Sequence, residues 1–281
     1  MRLAGLVSAV GLPLALMVAG CTKREAAAPP PAPPVITVSA SDFEFTAPDT
    51  IPGGVVTLRL VNHGPSLHHI QLVRLSEGKT LADLMTAMRN PGPPPAWMGF
   101  VAGPNPPAPG DSSEVTETLQ PGDYAMICLV PNERGVPHFA MGMARPLVVA
   151  PPAAGGATPV EPTAHAEITL SDYDFALSTP LVAGTHTIKV TNAGPQPHEL
   201  VFARLDSGVT AQQLADWVHG GMRGRPPARP LGGASSFVPG AHVFVKLTLT
   251  PGEYALVCFV PDAGDGREHA MHGMVKQVHV S

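Results

Sequence analysis

An internal repeat constrains the fold of this 281-residue chain more than any other feature of its sequence. Residues 41–45, SDFEF, return as SDYDF at 171–175, and residues 121–125, PGDYA, return as PGEYA at the same offset of 130. Cys128 and Cys258 are related by that offset as well. Such self-similarity is the sequence signature of one structural unit used more than once. We therefore predict two domains of the same fold.

Composition divides the chain around these two copies. The stretch between them is rich in Pro, Ala and Gly, and a shorter stretch before the first copy is rich in Pro and Ala, as is typical of linkers and spacers. The predicted segments are a leader at 1–20, a spacer at 21–34, a first domain at 35–150, a linker at 151–163 and a second domain at 164–281.

The first residues are typical of an export signal. Arg2 precedes an apolar run over 3–20, and small residues stand directly before Cys21, as in a bacterial lipoprotein signal whose cysteine is lipidated. A membrane-spanning helix is disfavoured, because the run is at the lower limit of spanning length and contains Pro13. We expect an exported protein held by lipid on Cys21 at a bacterial membrane, facing the periplasm or the cell surface. The outer membrane is favoured, because Thr22 follows the cysteine.

Charge excludes one large class of partner. The net charge is −5, so the chain has no basic surplus to neutralise a phosphate backbone, and nucleic-acid binding is disfavoured. No phosphate-binding loop or nucleophile–base arrangement indicates nucleotide or hydrolytic chemistry. The expected partners are the membrane, through the lipid on Cys21, and a redox protein.

Within each copy the hydrophobic period is mostly two, which predicts half-buried strands in an all-β fold. Val56, Leu58 and Leu60 alternate with more polar neighbours, and Ile188 and Val190 do the same in the second copy. We predict two antiparallel sandwiches or barrels. The exceptions are one helix per copy, starting after Thr80 and Thr210, and a Pro-rich surface loop over 91–109.

Two Cys residues remain after lipidation, and both stand at the end of a predicted core strand. Each copy also has two His and one Met at matching positions, with His68 and His198 on the core face of their strands. His69 is on the other face and is the weaker candidate. Two imidazoles, a thiolate and a thioether are the ligands of a blue-copper site, whereas structural zinc rarely uses Met. The predicted copper ligands are His68, Cys128, His138, Met143, His198, Cys258, His269 and Met274, with up to two copper ions per chain.

Each copy resembles a cupredoxin domain. The resemblance covers nearly all of both copies and is carried by a His after an Asn-x-Gly turn, a Pro-Gly-x-Tyr lead into the Cys strand, and a later His and Gly-Met pair. It implies a Greek-key β-sandwich with an inserted helix and a type 1 copper site. One departure is clear. Nine residues separate Cys128 from His138 and ten separate Cys258 from His269, where familiar cupredoxins have only a few. Packing is expected to position the second His.

Electron transfer by a non-catalytic copper protein is the leading prediction for function. Copper handling or storage is an alternative, which Met141, Met271 and His272 near the ligands would suit, although packing around the ligand loop is the favoured explanation of these residues. A metal-free recognition module is a further alternative. A two-domain copper oxidase or nitrite reductase is less favoured, because those enzymes need additional copper-binding histidines and a His beside the ligand Cys. Here no His adjoins Cys128 or Cys258.

Overall fold

The computed structural model describes residues 30–90, 92, 94–152 and 158–281. The leader at 1–20, Cys21 and most of the spacer therefore lie outside the described residues, as does the middle of the linker. No helix within the described ranges has both the length and the apolar character needed to cross a bilayer.

Both copies fold as β-sandwiches, so the predicted all-β class is confirmed. The strands of the first domain are β1 (Val35–Ser41), β2 (Glu44–Thr46), β3 (Thr50–Pro52), β4 (Gly54–Asn62), β5 (Gln71–Leu75), β6 (Met98–Val101), β7 (Ser112–Leu119), β8 (Gly122–Ile127) and β9 (Ala144–Ala150). Those of the second are β10 (Ala166–Ser171), β11 (Asp174–Leu177), β12 (Gly184–Asn192), β13 (His198–Leu205), β14 (Ala228–Phe237), β15 (His242–Leu249), β16 (Gly252–Val257) and β17 (Val275–Val280).

One sheet runs through both domains. Its strand order is β11-β10-β12-β15-β7-β4-β1-β2, and the two domains join where β7 and β15 pair antiparallel around Val115 and Val245. Those two residues are equivalent in the repeat, so the pairing has local pseudo-twofold symmetry. A separate sheet completes each sandwich, with the order β3-β9-β8-β5-β6 in the first domain and β14-β13-β16-β17 in the second.

Alternating residues of these strands form the cores. Val56, Leu58 and Leu60 of β4 are fully buried, as are Ile188 and Val190 of β12. This burial follows the predicted period of two, because successive side chains of a strand point to opposite faces. The apolar faces of each pair of sheets meet in a core that also contains one Cys, Cys128 in the first domain and Cys258 in the second.

The two predicted helices are present, and each is short. Helix α1 (Leu81–Ala87) begins with a capping box between Thr80 and Asp83, and α2 (Ala211–His219) begins with one between Thr210 and Gln213. Each box satisfies backbone N–H groups that the first turn leaves unpaired. Both helices pack against the outer face of the sheet that bears the Cys strand.

The prediction of a surface loop over 91–109 is wrong for its second half. Met98–Val101 form the edge strand β6, and residues 102–105 run buried along β14 of the second domain. Ser235 donates its N–H to the carbonyl of Gly103 at 2.8 Å, and Asn105 donates its N–H to that of Gly233 at 3.2 Å. Prolines do not preclude burial here, because each lacks an N–H that would need a partner.

These contacts make the domain interface extensive. Autonomous folding of 35–150 and 164–281 stays a prediction. Separation would expose the edges of β7 and β15, each of which is an unpaired template for other strands.

Candidate metal centres

The first His of each centre is held by a side-chain-stabilised turn. Asn62, at the end of β4, accepts the N–H of Gly64 at 3.0 Å and donates to the carbonyl of Ser66 at 2.9 Å. This turn reverses the chain and delivers His68 just before β5. A Cβ on Gly64 would lie 2.9 Å from Nε2 of His68 and 2.7 Å from Oδ1 of Asp42, so only glycine fits. Asn192 and Gly194 build the same turn before His198.

A backbone hairpin returns the second His to the Cys. Pro131 and Pro137 form an antiparallel bridge, and the N–H of His138 binds the carbonyl of Val130 at 2.9 Å. The N–H of Phe139 then binds the carbonyl of Cys128 at 2.8 Å. The extra residues between Cys and His thus leave and return to the same point. Backbone hydrogen bonds do the positioning that we expected of packing alone.

The second domain uses the same hairpin with one more residue. Pro261 and Glu268 form the bridge, His269 donates its N–H to Val260 at 2.9 Å, and Ala270 donates to Cys258 at 2.8 Å. The insertion therefore lengthens the exposed turn and leaves the approach of the His unchanged.

These elements bring His68, Cys128 and His138 together in the first domain, a group that we call centre 1. Nδ1 of His68 lies 3.2 Å from Nδ1 of His138, and Sγ of Cys128 lies 3.6 Å from the latter. All three side chains are buried, with exposures of 1% or less. Three donor atoms therefore converge on one enclosed point.

Centre 2 consists of His198, Cys258 and His269 and repeats this geometry. The two Nδ1 atoms are 3.0 Å apart, and Sγ of Cys258 lies 3.4 Å from His269 and 3.9 Å from His198. All three residues are fully buried. In both centres the three donor atoms lie within 4.8 Å of one another.

The predicted axial residues lie beside these groups. Met143 is fully buried in the same core cluster as Cys128, and its backbone bonds to Cys128 at 3.2 Å and to His138 at 3.0 Å. Met274 has the same two backbone bonds to Cys258 and His269. The positive φ of Gly142 and Gly273, 110° and 99°, turns the chain directly before each Met.

Two carboxylates that we did not single out from the sequence orient the first His of each centre. Nε2 of His68 donates to Oδ1 of Asp42 at 2.9 Å, and Nε2 of His198 donates to Oδ1 of Asp172 at 2.5 Å. Each bond leaves the lone pair of Nδ1 free to bind a metal, a common arrangement around metal-ligating histidines. The only sequence signal was the recurrence of Ser-Asp at 41–42 and 171–172.

Burial sets the protonation of the metal-free centres. It lowers the pKa of His138 and of His269 to about 4, the partner His adding to the effect in each case. It raises the pKa of the Cys128 thiol to about 12 and also raises that of Cys258. The imidazoles are thus neutral donors at pH 7, and a metal must displace the thiol proton on binding.

The surroundings of the second His differ between the centres. In centre 1 the edge of Phe43 contacts His138 at a ring distance of 5.0 Å, and Asn132 donates to the thioether of Met141 at 3.3 Å. In centre 2 the equivalent positions hold Tyr173, Asp262 and His272, and their side chains are in mutual contact. Centre 2 is therefore more polar than centre 1 on this side, and it alone has an acidic side chain at these positions.

Tyr173 and Asp262, two polar residues beside His269, form hydrogen bonds with each other, and Asp262 also bonds to Gln196. The hydroxyl of Tyr173 donates to Asp262 at 2.6 Å, Gln196 donates to the same oxygen at 2.8 Å, and these bonds hold the pKa of Asp262 well below its usual range. That carboxylate oxygen lies 3.8 Å from Nε2 of His269, which is buried and has no hydrogen-bond partner among the described residues. An ionised Asp262 therefore faces Nε2 of His269, the ring nitrogen that is not directed at the other donor atoms.

His69, the weaker candidate by its position in the sequence, points away from centre 1. Its Nε2 accepts the N–H of Leu129 at 2.9 Å, and its Nδ1 bonds to Asn105 at 3.2 Å. Glu199 stands at the equivalent position in the second domain and accepts the N–H of Phe259 at 2.9 Å. Both side chains therefore support the residue that follows the Cys.

The donor sets fit copper. Two neutral imidazoles and a thiolate in one buried cluster suit a soft transition metal, whereas calcium and magnesium need oxygen ligands. A nearby thioether favours copper over zinc. Among the described residues, the only other group with metal-ligand spacing is Asp262, Asp265 and His272 at the surface.

Comparison with known proteins gives structural likenesses only. No protein-family model and no curated protein matches the chain. An auracyanin from Roseiflexus castenholzii is 23% identical over 43% of this chain and 98% of its own, with a TM-score of 0.31. A copper-containing nitrite reductase from Thermus scotoductus is 15% identical over 89% of this chain and 62% of its own, with a TM-score of 0.25. A blue copper oxidase from Nitrosomonas europaea is 17% identical over 88% and 86%, with a TM-score of 0.27. These TM-scores are low, so the assignment of fold and sites rests on the chain's own strands and side chains.

Proposed function

We propose that this protein binds copper at centres 1 and 2 and carries electrons through them. The observation that supports the proposal is the recurrence of one buried His-Cys-His group, with the same backbone support, in both domains. A repeated surface feature needs no function, but a repeated buried cluster of neutral imidazoles and a thiol is costly unless a ligand uses it. Met143 and Met274 are proposed as weak axial ligands.

Copper bound by a thiolate and two imidazoles supplies a one-electron couple between Cu(I) and Cu(II). The chain's own contribution is rigidity. Asp42 and Asp172 fix one His of each centre, and the hairpin fixes the other. Because both ligand orientations are set by the fold before the metal arrives, the same geometry can serve both oxidation states.

Enclosure favours a carrier over an enzyme. Catalytic metals usually keep a position open to substrate, whereas all six donor side chains here are 1% exposed or less. Electron transfer needs no such opening.

The test is copper titration of the purified full-length chain, followed by visible and electron paramagnetic resonance spectroscopy in both oxidation states. We expect up to two copper ions per chain, with thiolate-to-copper absorption that bleaches on reduction and returns on reoxidation. Sustained turnover of oxygen or nitrite with an artificial electron donor would contradict the carrier proposal. Tight retention of Cu(I) without reoxidation would favour storage instead.

We further propose that lipid on Cys21 holds the protein at a bacterial membrane, with both domains on the exported side. The support is the apolar run and the small residues before Cys21. Replacing Cys21 by Ser is expected to move the protein from the membrane fraction to a soluble fraction. A wild-type protein that is cytosolic with its first residues intact would contradict this proposal.

A further inference from the structure

Three buried side chains connect centre 1 with centre 2 across the domain interface. Nε2 of His69 accepts the N–H of Leu129 at 2.9 Å, and its Nδ1 lies 3.2 Å from Oδ1 of Asn105. Nδ2 of Asn105 donates to Oε2 of Glu199 at 3.2 Å. Oε1 of Glu199 accepts the N–H of Phe259 at 2.9 Å. We call this set, His69, Asn105 and Glu199, the bridge.

Each end of the bridge is hydrogen-bonded to the residue that follows a thiolate ligand. Leu129 follows Cys128 and Phe259 follows Cys258, so each end reaches a Cys through one peptide bond. The backbone N–H of Glu199 also lies 3.4 Å from Sγ of Cys258. Four hydrogen bonds and the covalent bonds of three side chains therefore form an unbroken path between the two sulfur atoms.

The donors and acceptors along the path are mutually consistent. Because Nε2 of His69 accepts from Leu129, its Nδ1 bears the proton and donates to Asn105. The amide orientation of Asn105 is set independently, since its Nδ2 also donates to the carbonyls of Leu200 and Ala234 at 3.0 Å. Both carboxylate oxygens of Glu199 then act as acceptors. Nδ2 of Asn105 has two protons for these three acceptors, so the proton that faces Glu199 is shared with one of the carbonyls in a three-centre bond.

The two copies of the repeat differ at the ends of the bridge. His69 and Glu199 occupy equivalent positions and support equivalent peptides, yet they are chemically different. A donor is needed on one side of an amide and an acceptor on the other, and this pair provides them. Exposures of 7%, 1% and 8% for His69, Asn105 and Glu199 leave little room for water to replace any link.

We propose that the bridge couples the two centres electronically, so that one electron equilibrates between them within a single chain. This inference rests on the proposed copper function. The step transfers one electron from the reduced centre to the oxidised centre. No bond forms or breaks, no proton is released, and no outside oxidant or reductant is consumed. The chain would then accept an electron at one centre and deliver it from the other.

The experiment measures intramolecular electron transfer in the copper-loaded full-length chain. Less than one equivalent of electrons is delivered rapidly by a photogenerated reductant, and the visible absorption of both centres is followed. Cys128→Ser and Cys258→Ser variants supply the reference spectrum of each centre alone. We expect a redistribution phase whose rate is independent of protein concentration, because it occurs within one molecule.

Two variants interrupt the bridge in different ways. Asn105→Leu removes the central amide at similar size. Glu199→Gln keeps the oxygen that accepts from Phe259 and turns an amide NH₂ toward the NH₂ of Asn105, so that one link alone is lost. Gln71→Leu is the matched control, because Gln71 is a buried amide that donates across the interface to the carbonyl of Ser236 at 2.9 Å and lies outside the bridge.

Coupling is supported if redistribution is severalfold slower in both bridge variants while copper content, resonance spectra and both midpoint potentials are retained. The Gln71→Leu control should keep the wild-type rate. Wild-type rates in Glu199→Gln, or equal slowing in Gln71→Leu, overturn it. If Asn105→Leu unfolds, Glu199→Gln decides. Copper-loaded wild-type protein with no redistribution phase also overturns the coupling and leaves the copper function standing. A wild-type chain that binds no copper overturns both.

Discussion

Centres 1 and 2 have identical donor residues and different neighbours. In centre 1 Phe43 contacts His138 and Asn132 is hydrogen-bonded to Met141. In centre 2 Tyr173 and Asp262 approach His269, and Tyr173 stacks on His272. The residues that select the metal are thus distinct from those that can adjust its redox behaviour. The donors and the hairpin that positions them are unchanged between the copies, and they determine which metal fits. The residues behind the second His differ, and they can adjust the redox behaviour of each centre separately.

The charge near each centre predicts which of the two has the higher reduction potential. An ionised carboxylate stabilises the more positive oxidation state of a nearby metal, because the attraction grows with the metal's charge. Asp262, 3.8 Å from His269, should therefore favour Cu(II) at centre 2. Centre 1 has no charged side chain at the equivalent position. We expect centre 1 to have the higher reduction potential, so that electrons crossing the bridge come to rest there.

The largest effect on this comparison should come from removing one thiolate. Cys128→Ser and Cys258→Ser are each expected to abolish one copper and its charge-transfer absorption, because the thiolate provides the only formal negative charge among the ligands. Copper analysis and visible spectra check the result. Met143→Leu is the control and should keep its copper while shifting the potential. Full copper content in the double Cys variant would contradict the ligand assignment.

Loss of an orienting carboxylate should have the next largest effect. Asp42→Asn and Asp172→Asn each remove the charge that fixes a ligand imidazole, and such partners typically contribute about ten- to hundredfold in metal affinity. The effect should be larger for Asp172, whose bond to His198 is 2.5 Å long against 2.9 Å for Asp42 and His68. Competitive copper titration measures both affinities. If both variants keep the copper affinity of the wild type, the turn alone orients the His.

Exchanging the neighbours should shift potentials and leave affinity largely unchanged. Asp262→Asn, with the residue found at the equivalent position of centre 1, is expected to raise the potential of centre 2. Asn132→Asp should lower that of centre 1. Asn suits both loops, because Asn132 already accepts backbone N–H groups as Asp262 does. Spectroelectrochemical titration gives both values. Shifts of the same sign in the two variants would refute the charge explanation.

The smallest effect concerns stability and involves another asymmetry of the repeat. Glu117 is buried, and one of its oxygens has no partner among the described residues, while its equivalent is the apolar Leu247. Burial raises the pKa of Glu117 well above its usual value. The native state therefore holds a proton that the unfolded state releases, and stability is lost as pH rises from about 4.5 through the folded pKa.

Glu117→Leu should accordingly stabilise the protein at pH 7 by about 1–3 kcal/mol, since it removes an unsatisfied buried group. Glu117→Gln is the control. It should remove the pH dependence, because an amide does not ionise, but it keeps a polar side chain in the buried position. Thermal unfolding of the metal-free chain between pH 4.5 and 8 checks both. A wild-type pH profile in Glu117→Leu would place the titration elsewhere.

Local patterns in the sequence predicted much of the fold and most of the donor set. The period of two predicted burial along β4 and β12, and the capping residues predicted where α1 and α2 begin. Register between the copies indicated which His to pair with each Cys. These signals survive folding because they depend on neighbours a few residues apart, whose relative positions the backbone itself sets.

Tertiary structure alone decided how the two copies meet and what lies between the centres. The pairing of β7 with β15, the burial of Asn105 in a stretch we predicted as a surface loop, and the contacts of Asp42 and Glu199 all join residues far apart in the chain. No local period records such contacts, because they depend on the shape of surfaces that exist only after each sandwich has formed. The sequence alone thus predicted two domains and two His-Cys-His donor sets, and the packing of those domains determined that a hydrogen-bonded path joins them.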